Sequence, residues 1–186
     1  MLLKHYCLLL LSCLLLACQP ATPKVAPTPI IEETAPTKPV LPPIPYSLDT
    51  PHFDQLLAQN KGNVVLINLW ATWCKPCIKE LPDLEKLHQK YQDQAIKVIA
   101  ISIEDETKAD TLVRPFWKKM ELSMDNYLLQ SDQPETFINH FDKIWLGMVP
   151  TSYIFNQNGE KVETITGTLS YEAFEKKVLA VKHSEQ

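Results

Sequence analysis

The chain has no run rich in lysine or arginine. Its 18 basic and 22 acidic side chains give a formal net charge of −4, so the electrostatic footprint of a nucleic-acid binder is missing and no such partner is expected. It also lacks an apolar run long enough to span a bilayer. The longest, Tyr6–Leu16, has 11 residues, against the roughly 18 that a membrane helix needs. Cysteine is sparse outside the leader. Of five cysteines only Cys74 and Cys77 lie beyond residue 18, which excludes a disulfide framework. There is no second CxxC and no paired histidine: His52, His88, His140 and His183 stand singly. The four ligands of a structural zinc are therefore absent, and no metal site is expected. No internal repeat is visible.

What is present begins with the leader. Lys4 and His5 precede the apolar run, whose length is that of a signal-peptide core, and the run ends in "LLAC". This ending resembles a bacterial lipobox, which implies a signal peptide over 1–17 and lipidation of Cys18. "LLSC", ending at Cys13, leaves too little apolar sequence upstream. The alternative is an uncleaved anchor, for which the run is short. Gln19 follows the lipid-carrying position where Asp would favour inner-membrane retention. In a Gram-negative cell that points to the outer membrane.

Composition then shifts abruptly. Nine of the 15 prolines fall between Gln19 and Tyr46, among Thr, Ala, Lys and Glu. Such a segment cannot bury a core and reads as disordered or polyproline-like. Residues 18–46 are expected to form a lipidated tether, reaching roughly 85 Å if fully extended. The folded domain is expected over 47–186.

Within that domain the stretch "LWATWCKPCIKELP", Leu69–Pro82, holds the remaining cysteines. A disulfide closing so small a loop adds little chain-entropy stabilisation, and a domain of this length can bury a core without a staple. With zinc also excluded, a redox-active pair remains, and no cofactor beyond the pair itself is expected.

"NVVLINLWA" before the pair is continuously apolar and rich in β-branched residues, as a buried parallel strand is. After it, Ile78, Leu81, Leu84, Leu87 and Tyr91 recur at helical spacing. Cys74 thus falls where a strand feeds a helix N-terminus, whose free N–H groups and positive dipole end favour a thiolate. Lys75 adds positive charge and Pro76 suits the first turn; both tune the couple. Cys77, a turn in, is expected to be more buried. Pro82 is expected to kink the helix.

"WCKPC" after a buried strand resembles the thioredoxin superfamily. "NLWATWCKPCIKELP" is similar, more narrowly, to the TlpA/ResA-type thiol–disulfide oxidoreductases, whose motif reads roughly N-F-W-A-T-W-C-x-P-C-x-x-E-x-P. "GMVPTSYIFNQNGE", Gly147–Glu160, resembles that family's cis-proline segment, strand and hairpin turn. The resemblance covers about residues 60–186. It implies an α/β thioredoxin fold, a central mixed sheet flanked by helices, with a central insertion. The 73 residues from Cys77 to Pro150 leave room for one.

The resemblance also implies roles. Cys74 is the nucleophile and Cys77 the resolving thiol. Glu80, three residues on and so on the same helix side, is the proton acceptor; the bland alternative is a carboxylate placed for the helix dipole. Asn68 stands where thioredoxin has a titrating Asp, either as a relay or as a hydrogen-bonded strand residue. Val149, a cis Pro150 and Thr151 form the segment that meets substrate. Trp73 shields the disulfide or contacts partners, or else is core; Trp70 is expected to be core.

The remaining segments fill out the fold. "SLDTPHFDQLLAQ" reads as a strand or loop and then a helix capped at Thr50. "AIKVIAISIE" is a strand ending in an acidic tip, Glu104–Glu106, read as a solvated charge run, with a place near the active face as the alternative. A helix broken near Pro115, a strand at "NYLLQS", a short helix at "QPETFINHF", a strand at "KVETITG" and a helix at "SYEAFEKKVLAVKH" follow.

The function expected is extracytoplasmic thiol–disulfide exchange, in the reducing direction. The resemblance implies disulfide-bearing envelope proteins, apocytochrome c among them, as substrates. It implies a transmembrane thiol reductant of the DsbD or CcdA type as electron source. The rivals are an oxidase or isomerase using the same site, and a binding module without turnover.

Overall fold

The computed structural model describes residues 46–129 and 134–184. The leader, Cys18 and the tether up to Pro45 lie outside the described residues. Tyr46, assigned to the tether by composition, is instead the first residue of a strand.

Six strands form one mixed sheet: β1 (Tyr46–Leu48), β2 (Val64–Trp70), β3 (Ile96–Ser102), β4 (Asp125–Leu129), β5 (Thr151–Phe155) and β6 (Lys161–Thr166), in the order β1-β4-β3-β2-β5-β6. The first four pair in parallel, while β5 and β6 run antiparallel to their neighbours. Among the described residues five α-helices surround the sheet: α1 (Thr50–Gln59), α2 (Lys75–Tyr91), α3 (Arg114–Lys119), α4 (Pro134–Ile138) and α5 (Tyr171–His183). None of the helices among the described residues is long and apolar enough to cross a membrane. The expected fold class is present, and the stretch between β3 and β5 carries two helices, α3 and α4, and the strand β4.

Every residue of β2 is buried because both faces of the sheet are covered. Side chains alternate between faces. Val65, Ile67 and Leu69 pack with Phe53 and Leu56 of α1 and Phe137 of α4; Val64, Leu66 and Trp70 pack with α2, α3 and α5. Asn68 shares the second parity and so points towards α2. The same parity puts Ser152 of β5 directly opposite it in the pairing register.

Helix α2 buries Cys77, Glu80, Leu81, Leu84, Glu85, Leu87, His88 and Tyr91. At about 100° per residue these span one arc centred on Cys77, Leu81, Leu84 and His88. Ile78 lies at the edge of that arc and is only half-buried, which corrects its placement on the core face. Each fully buried leucine stabilises the packing by about 1.5–3 kcal/mol. Glu85 is held inside because its carboxylate accepts from the backbone N–H groups of Ser123 (2.9 Å) and Met124 (3.1 Å), which lead into β4. The helix runs through Pro82 without interruption, and Pro82 itself is exposed.

Two further expectations change. The cap of α1 is Asp49, whose carboxylate accepts the N–H of His52 at 2.9 Å; Thr50 is already helical. The break expected near Pro115 is a change of helical type: a 3-10 turn (Glu106–Lys108) and a π turn (Ala109–Val113) give way to α3, with Pro115 in its first turn. A missing N–H is harmless there.

Candidate active site

Cys74 is the N-cap of α2. It is bonded to Cys77, and its sulfur also accepts the N–H of Cys77 at 3.2 Å. The N–H of Cys77 in the first turn therefore points at the sulfur that would carry negative charge in the reduced pair. Cys74 is 4% exposed and Cys77 fully buried, so the outer sulfur is Cys74. Lys75 and Pro76 are exposed between them. Trp73 is 63% exposed, which rules out its core alternative and leaves it on the surface beside the pair. Trp70 is core: fully buried, against Phe116 and Trp117, with its Nε1 donating to Asn126 at 3.0 Å.

The second strand of the site comes from β5. Leu69 pairs with Thr151, so Pro150 lies level with Trp70 at the same end of the sheet as Cys74. The Val149–Pro150 peptide bond is cis. The loop before it is held at both ends. Tyr153 donates to the buried Asp142 at 3.0 Å, and Met148 O accepts from Trp145 Nε1 (3.0 Å) and Thr151 Oγ1 (2.8 Å). Thr151 is buried, so its hydroxyl holds the loop rather than facing a partner. Val149 is half-buried.

Glu80 lies behind the cysteines, 2% exposed. Its two oxygens accept from Asn68 Nδ2 at 2.8 Å and from the backbone N–H of Leu169 at 3.0 Å. Asn68 Nδ2 also reaches Ser152 Oγ at 2.9 Å. Burial pushes the Glu80 carboxyl up to about 7; the bonds from Leu169 and Asn68 pull against this, and the charge of Asp83 adds to it. A carboxylate placed only for the helix dipole would be exposed and ionised. An open cleft of about 460 Å³ reaches Glu80 from solvent, lined by Lys75, Lys79, Asp83 and Leu169 among others.

Sequence reasoning missed three contributors. Ser152 could have been found from strand parity. Leu169 enters through a backbone N–H, which carries no residue-type signal. Glu104 was read as part of a solvated tip, yet it is 7% exposed and accepts from Thr72. Asp105 and Glu106 are exposed, as a solvated run should be.

The AhpC/TSA family pattern matches residues 49–163. The chain belongs to the AhpC/TSA family. Within this thioredoxin-like family it is similar to the ResA-type oxidoreductases. The thiol-disulfide oxidoreductase ResA of Geobacillus kaustophilus is 30% identical over 126 residues, which cover 68% of this chain and 67% of that protein. The ResA of Bacillus cereus is 32% identical over 62% of this chain and 61% of its own length. The fold is shared with a thioredoxin-family thiol:disulfide interchange protein from Chlorobium tepidum, at 20% identity and TM-score 0.59, covering 75% of this chain and 94% of that one. The ResA relatives are thiol-disulfide oxidoreductases, and this chain is an oxidoreductase of that type, with the Cys74–Cys77 disulfide at the start of α2.

Proposed function

We propose that this protein reduces disulfides of extracytoplasmic proteins, apocytochrome c cysteines among them, from a lipid anchor at Cys18. The observation that carries the reading is the buried Glu80 carboxyl, one helical turn from Cys77 and bonded to Asn68 and the Leu169 N–H. A base there serves the resolving step.

The Cys74 thiolate attacks one sulfur of the substrate disulfide; a Cys74–substrate S–S bond forms and the other substrate sulfur leaves as thiolate. Cys77 then passes its proton to Glu80 and attacks Cys74 Sγ. The Cys74–Cys77 bond forms, the second substrate thiolate leaves, and the substrate has gained two electrons. Val149 and the cis Pro150 lie at the same end of the sheet as the pair, where an extended substrate segment would pair with backbone, and the exposed Trp73 would contact a partner there. No bound cofactor is required, since the pair carries the electrons.

Renewing the dithiol in an oxidising compartment needs a thiol donor, and a membrane conduit of the DsbD or CcdA kind supplies the right chemistry. The lipobox-like "LLAC", Gln19 and the proline-rich tether support an extracytoplasmic, lipid-anchored protein, in the outer membrane if the cell is Gram-negative. The test is turnover of a disulfide-bonded CxxCH peptide by the reduced protein. Cys74→Ser should abolish it. Oxidation of the reduced peptide by the disulfide form, without the reverse, would assign the opposite direction.

A further inference from the structure

Cys74 closes a four-residue turn: its N–H donates to the carbonyl of Ala71 at 3.1 Å, with Thr72 and Trp73 in the middle. That turn has neither glycine nor proline to preset it. It is gripped from β3 instead. A single oxygen of Glu104, Oε1, accepts the Thr72 N–H at 2.8 Å and the Thr72 hydroxyl at 2.5 Å. Glu104 is itself placed by the sheet. Ile103 N–H donates to Trp70 O at 3.0 Å, continuing the β2–β3 ladder, and Glu104 N–H donates to Ser102 Oγ at 3.3 Å. A buried carboxylate is costly unless it is bonded in this way, and its bonds go to the segment that delivers Cys74.

We propose that Glu104 is a positioning residue of the redox pair: it fixes Thr72, Thr72 fixes the turn, and the turn sets Cys74 on the N-terminus of α2. This rests on the reading of Cys74–Cys77 as a redox centre. In the oxidised protein the S–S bond also holds Cys74. In the reduced protein only the turn and the helix cap keep the Cys74 thiolate at the positive N-terminus of α2, so loss of Glu104 withdraws stabilisation from the thiolate and hence from the dithiol form.

The test is the equilibrium of the full chain with glutathione, together with the alkylation rate of Cys74 at neutral pH. Glu104→Ala should shift the equilibrium towards the disulfide form by about tenfold and slow alkylation to a similar degree. Glu104→Gln keeps an oxygen acceptor for both bonds and should stay within about threefold of the parent. Thr72→Val retains the N–H bond and tests the same chain of contacts at a half-buried position, so a Glu104→Ala protein that fails to fold does not decide the matter; its shift should run in the same direction and be smaller. A shift towards the dithiol form in Glu104→Ala and Glu104→Gln alike would mean that charge alone acts, and would overturn the proposal. So would unchanged values in all folded variants. The glutathione equilibrium requires only the cysteine couple, so it tests Glu104 even if turnover of the peptide disulfide, which tests the reading of the site, fails.

Discussion

Asn68 Nδ2 and Glu80 Oε1 meet at 2.8 Å in the interior, joining the central strand to the helix that carries the cysteines. The bond favours the charged form of a carboxyl that burial drives towards neutrality. Between them, the two effects leave Glu80 near the pH at which it can both accept and release a proton.

Glu80→Gln removes that proton acceptor. Resolution of the mixed disulfide should slow by about tenfold or more near neutral pH, and the rate should lose its inflection near pH 7. Stopped-flow exchange with a peptide disulfide from pH 5 to 9 reads both. An unchanged rate and profile would remove Glu80 from the mechanism.

The same shift makes a prediction for stability. Glu80 titrates at about 7 in the folded protein, against 4.5 as its ordinary value. As pH rises through that window the unfolded chain ionises first, so it binds fewer protons than the folded one. The contribution of this group to stability therefore falls from pH 4.5 to about 7 and stays low above. Urea unfolding of the oxidised protein at pH 5 and pH 8 should show a decline that is smaller in Glu80→Gln.

Asn68→Leu removes a donor to the carboxylate and should move the Glu80 inflection above 7, since the lost bond was one that lowered it. The acid limb of the exchange profile would then shift to higher pH. An unshifted limb would mean that the Asn68 bond does not contribute to the titration.

Leu84→Ala lies on the fully buried face of α2. It should cost about 2–5 kcal/mol of stability and leave the position of the glutathione equilibrium near that of the parent. Chemical denaturation and redox titration of one preparation separate the two effects.

The site was legible in the sequence where chemistry and chain direction coincide. An apolar strand, a CxxC and an amphipathic helix place Cys74 and Cys77 without any tertiary information, and the three-residue step puts Glu80 on the Cys77 side. Asn68 was marked by the family resemblance, but its neighbour Ser152 needed the pairing register of β2 and β5, which strand parity implies but sequence does not fix. The Leu169 N–H and the Glu104 carboxylate depend on where loops distant in sequence come to lie. Glu104 misled because three consecutive acids read as solvent-facing, whereas one of them answers a buried N–H and hydroxyl. Asp49 displaced Thr50 as the cap of α1 for a similar local reason: both can cap, and the backbone of His52 selects the carboxylate.

The measurement that bears most directly on a reducing function is the reduction potential of Cys74–Cys77 in the full chain, equilibrated against glutathione. A value near roughly −270 mV agrees with a reductase fed by a membrane thiol donor. A value near roughly −120 mV would contradict it and mark the protein as an oxidant.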